Sequence, residues 1–136
     1  MSEAAKPNRP QFRNINITQI VGYRLPLAGI ISILHRISGL LMFLFLPFIL
    51  FLLDKSLVSE RAFDYFKDFA SNCSVKFIIL VLSWAYLHHF CAGIRHFIMD
   101  NHVGLDKVSA RKSAAAVLVV SVPLTLIVAL KLFGAF

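Results

Sequence analysis

The stretch Leu40-Leu41-Met42-Phe43-Leu44-Phe45 is apolar at every position. A strand with one wet and one dry face would alternate with period two, and a transmembrane β-barrel needs that alternation in short segments. Worked outward, the apolar run extends from about Ala28 to Leu53, and two more follow, about Val75 to Met99 and about Ala114 to Phe136. A hydrocarbon core about 30 Å thick takes roughly 20 helical residues, and each run reaches that length. The pattern predicts an all-α membrane protein with three transmembrane helices, at about 28–53, 75–99 and 114–136. An N-terminal arm, 1–27, precedes the three-span domain, 28–136. Hydrophobic residues make up 58% of the 136, which leaves no room for a separate soluble domain.

A formal net charge of +7 raises the question of nucleic acid. In a membrane chain, Lys and Arg gather in cytoplasmic loops, and that explains the excess without a nucleic-acid partner. Lys6, Arg9, Arg13 and Arg24 face only Glu3 ahead of the first span. Lys107, Arg111 and Lys112 outnumber Asp100 and Asp106 between spans two and three, whereas the first loop is balanced. The expected orientation therefore puts the N-terminus and the second loop in the cytoplasm. Phe63, Tyr65, Phe66 and Phe69 mix with charge in that first loop, as in a short amphipathic helix on the membrane surface. Cys73 and Cys91 show no haem-attachment or metal-ligand spacing and read as free thiols. The first span starts too late and runs too long for a signal peptide.

Ionisable groups inside the spans carry the functional signal. A charged side chain at mid-helix costs roughly 2.5–3.5 kcal/mol on insertion scales, so clusters of them mark a site. Ser32, His35, Arg36 and Gly39 are spaced 0, 3, 4 and 7, one face of a helix. His89, Gly93, His96 and Asp100 are spaced 0, 4, 7 and 11, again one face, while His88 and Arg95 sit about 100° round. At 1.5 Å per residue, Arg36 lies about 12 Å from the cytoplasmic edge, His89 about 15 Å, and Arg95 and His96 about 5 Å. If these faces meet, they form a pocket that is basic near the surface and imidazole-lined below. Such a pocket suits haem b, with a neutral imidazole on the iron and cations near the propionates. The third span has no ionisable residue before Lys131 and reads as a packing helix.

At these residues the chain resembles the cytochrome b membrane-anchor subunits of succinate dehydrogenase, respiratory complex II. The likeness rests on Tyr23-Arg24-Leu25-Pro26 with Ser32-Ile33-Leu34-His35-Arg36-Ile37-Ser38-Gly39, and on His89-x-x-x-Gly93-Ile94-Arg95-His96-x-x-x-Asp100. The resemblance implies a helix bundle shared with other subunits, in which His89 is an axial ligand of haem b. A second small anchor subunit would supply the other ligand. It implies that His35, Arg36, Arg95 and His96 lie on the propionate side of the haem. Ser32 and Arg36 would meet ubiquinone, the hydroxyl holding a carbonyl oxygen and the cation stabilising negative charge. Electrons would arrive from a docked iron–sulfur subunit, with succinate oxidised at the flavin of another subunit. The setting implied is a bacterial inner membrane, since the arm shows no Arg- and Ser-rich presequence. Three other readings compete: a small transporter or proton-path subunit, a purely structural membrane anchor whose histidines bond helix to helix, and an anchor of fumarate reductase.

Overall fold

The computed structural model describes Thr18 and residues 22–135. The basic arm with Lys6, Arg9 and Arg13 lies outside the described residues, as does Phe136. Three helices long and apolar enough to cross a membrane make this a multi-pass membrane protein: α1 Leu27–Ser56, α3 Cys73–Asp100 and α4 Lys107–Leu132. Between the first two of them runs a shorter helix, α2, Glu60–Ser71. No strand occurs among the described residues.

Local chemistry sets where each helix begins. Pro26 stands just before α1, and its carbonyl accepts the N–H of Gly29 at 2.9 Å and of Ile30 at 3.1 Å. Ser59 caps α2 by accepting the Ala62 N–H at 3.2 Å, and Glu60 adds a favourable charge to its first turn. Asn72 does the same for α3 through the Ser74 N–H at 3.1 Å. Asp106 accepts the N–H groups of Val108 and Ser109, each at 3.0 Å, and opens α4. That cap starts the helix ahead of the apolar run, so Lys107, Arg111 and Lys112 ride exposed on its first two turns. Pro47 and Pro123 sit inside otherwise continuous helices, as membrane helices tolerate.

Helix α3 lies between α1 and α4 and packs on both, while α1 touches α4 more lightly. The core is built from Ile31, Ala92, Ala114 and Val117, with Ala85, Ser38 and Ser121 also buried. Small side chains at these crossings bring helix backbones close, which is how helices gain packing energy in lipid. Large apolar residues point outward instead; Phe43 is 72% exposed and Phe97 70%. In water this surface would aggregate, whereas in a bilayer it meets acyl chains or neighbouring helices. Helix α2 turns Phe66, Phe69 and Ala70 toward α1 and α3 and its charges outward, the amphipathic surface helix expected for this loop.

Candidate functional site

The polar stripes of α1 and α3 meet. The rings of His35 and His89 stack with centroids 4.1 Å apart and planes 19° from parallel. His96 tilts against His35, with ring centroids 5.0 Å apart. Because His35 meets His96 while Gly39 meets His89, α1 and α3 run antiparallel, with residues 35 and 96 at one level. Three imidazoles thus line one seam between the two helices. Nothing in apolar packing asks for that arrangement.

His89 is held most firmly. Its Nδ1 lies 3.0 Å from the carbonyl oxygen of His35 and 3.3 Å from Ser38 Oγ. A carbonyl can only accept, so the bond to His35 places the proton on Nδ1 and leaves the Nε2 lone pair free. Ser38 Oγ donates to the His35 carbonyl at 2.8 Å, so the hydroxyl and the imidazole converge on one oxygen. Gly39 faces the same ring: a Cβ there would come within 2.8 Å of His89 Cε1. Ser38, fully buried, is a site residue that the sequence reading misses, although its i+3 spacing from His35 puts it on the same side of the helix.

The other expected residues divide into two groups. Ser32 is half-buried and Arg36 exposed, on the α1 face that carries His35, and neither has a hydrogen bond or ion pair among the described residues. Both keep their full donor capacity. Arg95 does not join this cluster. It is 6% exposed, and its guanidinium reaches α4, donating from Nε to Ser113 Oγ at 3.1 Å and from Nη2 toward the Ala110 carbonyl at 3.5 Å. The neighbouring His96 points to α1 because successive helical side chains diverge by about 100°.

His88, which the pattern left without a role, is wholly buried and stacks on Trp84 with centroids 5.4 Å apart. Neither ring nitrogen completes a hydrogen bond among the described residues, although the Ile31 backbone on α1 is close enough to interact with the ring. Ser121 Oγ is likewise buried without a partner. His102 is exposed with φ +61°, part of the tight turn between α3 and α4. Cys73 and Cys91 are free thiols. An apolar cavity of about 560 Å³ lies between α1, α2 and α3 at the far end of the bundle, away from the histidines.

Comparison with known proteins identifies the family. Residues 6–128 match the family model described as the succinate dehydrogenase/fumarate reductase transmembrane subunit. A succinate dehydrogenase cytochrome b556 subunit of Paracoccus denitrificans is 34% identical over 134 residues, 98% of both chains. The subunit of the same description from Coxiella burnetii is also 34% identical, over 79% of this chain and 85% of its own. A succinate dehydrogenase cytochrome b560 subunit of the alga Porphyra purpurea is 29% identical over 82% of this chain and 86% of its own. The chain belongs to the family of succinate dehydrogenase and fumarate reductase transmembrane subunits, as one of its cytochrome b membrane anchors.

Proposed function

We propose that this chain and a second small membrane subunit together hold haem b, and that the same end of the bundle forms part of a ubiquinone-reduction site. The observation that carries the reading is the tether on His89, whose Nδ1 is engaged by the His35 carbonyl while Nε2 makes no hydrogen bond. Iron-ligating histidines give their second nitrogen to such an acceptor, which fixes the tautomer and aims the ring. One imidazole is what a porphyrin, with four nitrogens of its own, takes from each side. The described residues hold no group of three or more His, Cys, Asp or Glu that would suit a bare ion. Haem in such a site supplies one-electron transfer.

His35, next to Arg36 in the chain, and His96, tilted against it, offer N–H donors to the propionates, and Arg36 adds a cation. Arg95, turned to α4, is left out of this set. The Ser32 hydroxyl donates to a quinone carbonyl and Arg36 stabilises negative charge on the quinone oxygens, in a pocket with little water. Electrons come from the iron–sulfur subunit of the complex, and succinate is oxidised at the flavoprotein. The chain thereby serves the tricarboxylic acid cycle and the respiratory chain. The bacterial relatives and the basic α4 start support an inner-membrane location with the N-terminus in the cytoplasm.

Purified complex tests both halves. The expected reduced-minus-oxidised spectrum shows b-type bands that vanish in His89→Ala. Ser32→Ala or Arg36→Ala is expected to lower quinone reduction on the order of a hundredfold, with artificial-dye reduction by the soluble subunits retained. A wild-type complex without b-type bands rejects the haem assignment, and equal loss in both assays rejects the quinone assignment.

A further inference from the structure

Arg95 has no counter-ion among the described residues. Its guanidinium sits in the membrane part of α3, and of its five N–H donors only two find oxygen, one of those at 3.5 Å. The ion pairs among the described residues are Lys55–Asp54 and Lys67–Asp64, both at the opposite end of the molecule. The nearest acids along the chain are otherwise placed: Asp106 is occupied with the start of α4, and Asp100 makes no ion pair. A buried cation without an anion is strongly disfavoured, so some anion is expected to reach it.

The structure leaves a way in. Arg95 lines a groove of about 520 Å³ between α3 and α4, floored by Cys91, Ile98, Val117 and Val120. Ser113 holds the guanidinium, and Ser109 also lines the groove. Arg95 stands five residues from the end of α3 at Asp100, about 7 Å along the helix. That is headgroup depth rather than the middle of the bilayer. Lys107, Arg111 and Lys112 stand exposed on the first turns of α4 near the same end. The groove thus has a cation and hydroxyls at its membrane-surface end and apolar walls running inward. An inorganic anion would satisfy the first feature but leave the apolar walls empty.

We propose that this groove binds an anionic phospholipid, its phosphate on Arg95 and Ser113 and an acyl chain lying along the α3–α4 seam. The site is separate from the histidine seam, and its test does not depend on haem or quinone. Purified complex is stripped of lipid and titrated in detergent with phosphatidylglycerol, phosphatidylcholine or inorganic phosphate, with bound molecules counted by native mass spectrometry. The wild type is expected to bind phosphatidylglycerol about tenfold more tightly than phosphatidylcholine, because the choline cation of the latter offsets its phosphate charge and is repelled by Arg95 and the exposed Lys107, Arg111 and Lys112. Inorganic phosphate is not expected to compete. Arg95→Gln should erase the preference. Ala116→Trp, which fills the groove and leaves the guanidinium intact, should abolish binding of the lipid. Equal binding of the two lipids by the wild type overturns the proposal, as does a preference that survives Arg95→Gln. So does competition by phosphate alone, or undiminished lipid binding in Ala116→Trp.

Discussion

Gly39 and His89 show how tightly the imidazole seam is built. A methyl group at residue 39 would press on a ring whose Nδ1–H is already engaged by the His35 carbonyl with Ser38 Oγ beside it, with contacts of 2.8 Å to Cε1 and 3.2 Å to Nδ1. The ring has no free end to swing aside. At Gly93, by contrast, the nearest atom to an added Cβ is His35 Nε2 at 3.8 Å, an ordinary contact. Gly39→Ala is therefore expected to destabilise the anchor by about 1–3 kcal/mol, the usual range for overpacking. Gly93→Ala should change stability by less than about 1 kcal/mol, since alanine also favours the helix. Thermal unfolding in detergent checks this, and equal effects of the two substitutions contradict the close approach. His88 makes a complementary point about burial. Its ring is packed against Trp84, and neither nitrogen completes a hydrogen bond among the described residues.

Among the elements, α4 depends most visibly on a single polar residue. Asp106 accepts two backbone N–H groups, and the hydrogen bonds from Ser109, side chain first, hold its carboxyl below the usual carboxylate range. The sign follows from the ionised form being the one that bonds. The carboxylate's support for α4 is fully present above the unfolded value, about pH 3.9, and is lost as pH falls through the lower folded value. Hydrogen exchange at the Val108 and Ser109 amides should accelerate relative to mid-helix amides across that acidic window. In Asp106→Asn, which still caps but does not titrate there, the pH step should be missing. A step of the same size in that variant would show that another group is responsible. Helix α2 has an equivalent cap at Ser59 and lies across the far end of the bundle, where its aromatic residues help line the apolar cavity.

As a whole molecule, the chain is one subunit of an oxidoreductase complex, and its surface reflects that. Its buried core is small, and the histidine seam is open enough that His35, His89 and His96 are all only partly covered. On the proposed function, a second subunit completes that seam. The chain expressed without the other subunits is expected to elute as aggregates or to be degraded, whereas co-expression restores a single species on size exclusion in mild detergent. A monodisperse, haem-loaded preparation of the chain alone would refute this.

Much of this molecule was legible before folding was considered. Continuous apolar runs demand helices in lipid, because only an internally bonded backbone crosses hydrocarbon. Spacing of 3, 4 and 7 assigns His35 and Gly39 to one face of α1, and 89, 93 and 96 to one face of α3. The amino-acid order therefore determined the three spans and the two polar stripes. Periodicity says which residues share a face but not which neighbour that face meets. Only the packing of α3 between two partners decided that His96 turns to α1 and Arg95 to α4. The same packing put the His35 carbonyl on the His89 ring, and small residues at the crossings set that distance.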